Sequence, residues 1–159
     1  MNIADILTRN RTYCHIQASS RKRALEKVAE HLAADNPNFD AEELFTSLIA
    51  RERMGSTSLG HGIAIPHCRM NGCANILGGL FSLEQPIDFE APDHSTTSVL
   101  FVLVVPEEEV SEHLTVLATL AGRFDSEDYR QSLFDANTAE ALFNAAIAQQ
   151  QTEVKQAQR

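Results

Sequence analysis

The chain has 159 residues, with Lys+Arg 13 against Asp+Glu 22 and a formal net charge of −9. Hydrophobic residues make up 43% and charged residues 22%, enough apolar material for one well-filled core, which excludes disordered, collagen-like and disulfide-framework classes. The longest apolar run, Val99 to Val105, ends at Pro106 and falls far short of the roughly 20 residues a membrane helix needs.

The start, MNIADILTRN, carries Asp5 where a secretory signal needs an apolar stretch, so a mature cytoplasmic protein is expected. Cys14, Cys68 and Cys73 are odd in number and irregularly spaced, consistent with reduced thiols. The charge is uneven. Residues 1–53 hold 8 basic and 8 acidic side chains, and residues 54–159 hold 5 against 14. That balance argues against a nucleic-acid surface and favours a basic protein partner.

In chain order, Arg11 to Gln17 reads as a short strand, and Ser19-Ser20 as caps for a helix. In that helix Ala24, Leu25, Val28, Ala29 and Leu32 recur at helical spacing. After the Asn36-Pro37-Asn38 turn, Asp40 with Glu43, and Phe39 with Leu44, signal a second helix over 41–53. The texture then changes: RMGSTSLGHGIAIPHCRMNGCANILGG holds six of the seven glycines. Strands are expected within 62–67, 76–84 and 97–105, the last apolar throughout and suited to a central position covered on both faces. Leu114, Leu117, Ala118 and Ala121 form one apolar stripe of a further helix, followed by helices near 126–135 and 138–149. The tail 150–159 lacks periodicity and is expected to fray. The order βααβββααα predicts a single three-layer α/β/α domain. Its small sheet should be mixed, because 76–84 and 97–105 are joined without a helix.

Of six histidines, His15, His31 and His94 read as surface residues. His67 follows GIAIP, an apolar strand closed by Pro66, and so stands where a rigid strand meets a loop. Residues 51–68, RERMGSTSLGHGIAIPHC, resemble the active-site signature of the fructose/mannitol class of IIA proteins of the phosphoenolpyruvate-dependent phosphotransferase system. The likeness rests on Arg51-Glu52, Gly55-Ser56-Thr57, Gly60 and Gly62 to His67. A second match, His113 with Leu114, Leu117 and Leu120 after Val104-Val105-Pro106, resembles the family's second active-site histidine and its helix. Together with ASSRKRALE near the start, the likeness covers about residues 3–149, which implies one IIA domain over that span, and short stand-alone members of nitrogen-regulatory type are the most similar.

The resemblance implies that His67 accepts a phosphoryl group from a phosphorylated HPr-like carrier and either holds it as a signal to a downstream regulatory or ion-transport protein or passes it on. The alternative is a sugar-transport IIA component serving a IIB domain. His113 is implied as the assisting histidine, near a helix N-terminus for which Ser111 is a candidate cap. Arg51, Ser56 and Thr57 are candidate phosphate contacts, the Arg supplying a charge-assisted bond and the others hydroxyls; the plainer reading of Arg51 is a helix C-terminal charge. No cofactor is implied. Two residues depart from the pattern: Cys68 replaces the usual Gly, adding bulk beside His67, and His61 replaces a small polar residue. His61, His67, Cys68 and Cys73 also form a possible N/S ligand set, without paired C-x-x-C spacing. The run Glu107-Glu108-Glu109 with Glu112 reads as first-turn helix acids, or as the rim of a docking face for a basic carrier.

Overall fold

The computed structural model describes residues 1–108 and 111–149. Glu109 of the acidic run and the 150–159 tail therefore lie outside the described residues. A short 3-10 turn, Ile3–Asp5, leads into β1 (Leu7–Ile16), α1 (Arg21–Asp35) and α2 (Ala41–Met54). Three short strands follow, β2 (Ser58–Gly60), β3 (Ile63–Ala64) and β4 (His67–Met70), then the long β5 (Leu77–Ile87) and β6 (Thr97–Pro106). The chain finishes with α3 (Ser111–Phe124), α4 (Glu127–Phe134) and α5 (Ala139–Ile147). Among the described residues no helix is long and apolar enough to cross a membrane.

The helices start where their caps dictate. Ser20 accepts the Arg23 N–H at 3.1 Å, and Asp40 accepts the Glu43 N–H at 2.9 Å. Phe39 and Leu44 then sit in the same buried cluster, as a staple requires.

The sheet runs β1-β5-β6-β3-β2, with β4 also paired to β6. β5 and β6 are antiparallel, whereas β1 runs parallel to β5, and β3 and β4 run parallel to β6, so the sheet is mixed as expected. β6 is the axis of the molecule. Val99, Phe101, Leu103 and Val105 pack in one cluster with Val116, Leu120, Phe124, Leu133 and Leu142 of α3 to α5. Leu100, Val102 and Val104 pack in the other with Leu25, Val28, Leu32, Leu44 and Leu48 of α1 and α2. Alternation along an all-apolar strand thus feeds two cores and three layers. Each of the fully buried Leu100, Phe101 and Leu103 contributes about 1.5–3 kcal/mol over an exposed counterpart.

Two expectations need correction. The strand expected within 62–67 is split: β3 and β4 share β6 as a neighbour, but Ile65-Pro66 lies between them. Proline has no N–H for the ladder, which breaks the strand just before His67. The inward stripe of α3 is His113, Val116, Leu120 and Phe124, with Leu117 partly buried, while Leu114 is 61% exposed and Ala118 and Ala121 face outward. The helix carries two apolar stripes about one residue apart, and the one that includes the histidine is buried.

Candidate functional site

The loop after α2 is held by the helix end. Glu52 is 2% exposed, and its carboxylate accepts the Thr57 N–H at 2.8 Å and the Thr57 hydroxyl at 2.6 Å. Ser56 donates to the Phe89 carbonyl at 2.6 Å and accepts the Ser58 N–H at 3.1 Å. A hydroxyl has one proton to give, so both expected phosphate donors already spend theirs on the loop's own framework. Arg51, in the last turn of α2, donates to the Gly55 carbonyl at 2.9 Å and keeps its other guanidinium N–H groups for other partners.

His61 and Gly62 turn the chain between β2 and β3, with φ of 53° and 86°. Two positive values are what a two-residue type I′ hairpin turn demands, and Asn or Gly takes the first position with less strain than His. The His61 N–H is capped by Asp93 at 2.9 Å, and Asp93 also accepts the Ser95 N–H and hydroxyl. These donors, the Ser95 hydroxyl foremost, hold the Asp93 carboxyl well below the usual carboxylate range. A Cβ on Gly60 would stand 2.8 Å from the same carboxylate, so only glycine admits this approach.

Beyond the hairpin, the Ile65 N–H donates to the Thr57 carbonyl at 3.0 Å and the Leu103 N–H to the Pro66 carbonyl at 2.9 Å, fixing the backbone on both sides of His67. The His67 ring then bonds through Nδ1 to the Ile65 carbonyl at 2.8 Å. A carbonyl only accepts, so Nδ1 carries the proton and Nε2 is left with its lone pair. His113, from the first turn of α3, meets this ring edge to face, with centroids 5.3 Å apart and planes at 66°. His113 is 8% exposed, and its Nε2 has no hydrogen-bond partner among the described residues. Ser111, the candidate cap, lies within α3 (Ser111–Phe124).

Burial, then the charges of Arg51 and His113, push the His67 pKa down against the opposing Ile65 bond. His113 is lowered by burial, then by Arg69 and Arg51. Both rings are thereby favoured as neutral imidazoles in a cationic setting, which suits an anion that arrives with its own charge. Arg69 was missed from sequence. It stands two residues after His67, on the same face of β4, and donates to the Glu107 carbonyl at 3.1 Å; the period-2 alternation was the available signal.

The same alternation removes Cys68 from the site. Its side chain lies 5% exposed in the cluster under α1 and α2, on the opposite face from His67, and burial pushes its thiol up to about 12. It adds no bulk beside the His67 ring. Nor do His61, His67, Cys68 and Cys73 converge: among the described residues no three such side chains are placed to hold a metal ion. Of the acids expected in the first helical turn, Glu112 is there, whereas Glu107 and Glu108 are exposed between β6 and α3.

The arrangement is thus a lone-pair nitrogen at the end of a rigid strand, a second imidazole beside it and a guanidinium within electrostatic reach. Such an arrangement is suited to nucleophilic attack on an electrophile whose surroundings are anionic.

Comparison with known proteins gives the same direction. The family model for the "Phosphoenolpyruvate-dependent sugar phosphotransferase system, EIIA 2" matches residues 5–149. The nitrogen regulatory protein of Pseudomonas aeruginosa is 42% identical over 147 residues, covering 92% of this chain and 96% of that protein. That of Escherichia coli K12 is 34% identical over 144 residues, covering 90% and 88%. Among solved structures, the nitrogen regulatory protein IIA-Ntr from Neisseria meningitidis superposes with a TM-score of 0.84 at 35% identity, covering 91% of this chain and 98% of that one. The IIA mannitol structure from Escherichia coli, at 15% identity and a TM-score of 0.69 over 88% and 98% of the two chains, shares the fold. Agreement over nearly the whole length, with both histidines inside the matched region, settles the membership: the chain belongs to the EIIA 2 family of the phosphoenolpyruvate-dependent sugar phosphotransferase system.

Proposed function

We propose that this protein is a regulatory phosphoryl carrier that takes a phosphoryl group on Nε2 of His67 from a phosphorylated HPr-like carrier and signals by phosphorylation-dependent binding of a cytoplasmic target. The observation that carries the reading is the Nδ1 bond of His67 to the Ile65 carbonyl, which leaves the Nε2 lone pair free on a ring that meets His113 edge to face. The Nε2 lone pair attacks phosphorus, and a P–N bond forms. The donor's P–N bond breaks and its electron pair returns to the donor ring, which carries a proton on its other nitrogen and so leaves as a neutral imidazole. The proton on Nδ1 of His67 stays against the Ile65 carbonyl, so the positive charge of the N-phosphorylated ring passes from donor to His67. The transition state is metaphosphate-like, so the site's work is alignment and charge neutralisation. Arg51 and the Nε2–H of His113 serve the equatorial oxygens, and the α3 N-terminus adds its positive end. Ser56 and Thr57 serve the phosphate by ordering the loop. The working unit is the domain over residues 3–149.

The regulatory branch is supported by the nitrogen regulatory proteins that this chain resembles over most of its length. A phosphoryl group adds about two negative charges at one spot, on the half of the chain that is already acidic, so target affinity should differ sharply between states. Two measurements test this: a pull-down with both phosphorylation states, and transfer of the group to a sugar-system IIB acceptor. The reading expects a target, a regulatory or ion-transport protein, that is held in one state and released in the other. Efficient sugar phosphorylation with identical partners for both states would overturn it in favour of the transport component.

A further inference from the structure

We infer that Glu52 is a positioning residue for phosphoryl transfer, acting on His67 through Thr57 and Ile65 and on Arg51 through the same loop. The inference rests on the reading of His67 as acceptor. Glu52 is the one acidic side chain in the buried set of the described residues, and a buried carboxyl group is costly unless its oxygens are satisfied. Both oxygens are used, and both on Thr57: Oε2 accepts its N–H and Oε1 its hydroxyl.

From Thr57 the bonds continue. Its carbonyl accepts the Ile65 N–H at 3.0 Å, and the Ile65 carbonyl accepts Nδ1–H of His67 at 2.8 Å. Three consecutive contacts therefore join a helix-anchored carboxylate to the imidazole, and the last of them selects the tautomer that leaves Nε2 free. The second branch is shorter. Arg51 precedes Glu52 on the last turn of α2, and its guanidinium is tied to the Gly55 carbonyl, in the loop that Glu52 closes by holding Thr57.

The neighbouring charges that lower the His67 pKa are those of Arg51 and His113, so Glu52 reaches the ring through geometry. Freeing Thr57 would let its carbonyl drift from Ile65, loosen the Ile65 carbonyl from Nδ1, and shift the cation. Misplacement of this kind lowers transfer without removing any group that touches phosphate.

The test compares the full chain with Glu52→Gln, Thr57→Val and Thr57→Ser. Two quantities are read on each: the His67 tautomer by nitrogen–proton correlation NMR, and the initial rate of transfer from a phosphorylated HPr-like carrier at a temperature where each variant is folded. Wild type should show a single Nδ1–H tautomer. Thr57→Val and Glu52→Gln should show mixed tautomers and rates lower by about tenfold to a hundredfold, and Thr57→Ser should recover most of what Thr57→Val loses. A wild-type tautomer together with a rate within about twofold of wild type in both Glu52→Gln and Thr57→Val would overturn the inference. So would a loss that Thr57→Ser fails to recover. If wild type itself takes no phosphoryl group, the functional reading fails, and the tautomer alone decides whether Glu52 positions His67.

Discussion

His67 and His113 come from a strand and a helix on either side of two long strands, yet their rings meet edge to face with centroids 5.3 Å apart. The pairing divides the labour. His67 has its Nδ1 engaged by a carbonyl, while His113 presents a buried Nε2 with no partner among the described residues. Such an orphaned polar atom is costly unless a ligand meets it, and a phosphoryl oxygen on His67 would. His113→Gln or His113→Ala should therefore still accept the phosphoryl group but transfer it about a hundredfold more slowly. Rapid-quench kinetics in both directions check this; unchanged rates would return His113 to a packing role.

Arg51 should matter in two measurable ways. Its charge contributes to lowering the His67 pKa, so Arg51→Ala should raise that pKa and move the acid limb of the transfer rate to higher pH. Arg51→Lys keeps the charge but not the forked geometry, and should restore the pKa more fully than the rate. An NMR titration of His67 beside the pH profile separates the two effects.

Acid should also weaken the fold. The folded-state pKa values of His67, His113 and His31 lie below the ordinary value of about 6.5, chiefly through burial. As pH falls through 6.5, the unfolded chain takes up protons before the folded one, so stability rises with pH across that window and declines below it. The thermal midpoint should drop between pH 7.5 and 5.5, and drop less in a His67→Gln, His113→Gln double variant. An equal drop in both proteins would assign the effect to other groups.

Two substitutions toward the common family residues should have opposite consequences. Cys68→Gly removes a buried side chain from the α1/α2 core and places glycine in a strand, which should cost about 1–3 kcal/mol and leave transfer unchanged in the folded protein. His61→Asn relieves a φ of 53° at the hairpin tip and should stabilise by up to about 1 kcal/mol. Denaturant unfolding checks both.

The sequence made the scaffold readable wherever one short pattern decides the structure. The Val99–Val105 run, the Ala24 to Leu32 stripe and the Asp40 cap each have a local cause, and each appears where expected. The α3 face was misread because Leu114-Ala118-Ala121 and Val116-Leu120-Phe124 are both helical repeats. Only the site, which takes His113 inward, distinguishes them. Cys68 is next to His67 in the chain but not in the site, because adjacent residues of a strand point to opposite faces. The hydroxyl of Ser56 was unreadable for another reason: its acceptor, the Phe89 carbonyl, is far away in sequence and comes near only through the fold.

The most direct test is to identify the nitrogen that carries the phosphoryl group. The full chain is incubated with phosphoenolpyruvate, the system's first enzyme and an HPr-like carrier, and the product is examined by phosphorus and nitrogen NMR. The account predicts one acid-labile phosphoryl group, on Nε2 of His67, and none in His67→Ala. Label on Nδ1 of His67, on His113, on a serine or threonine, or on the His67→Ala protein would contradict it.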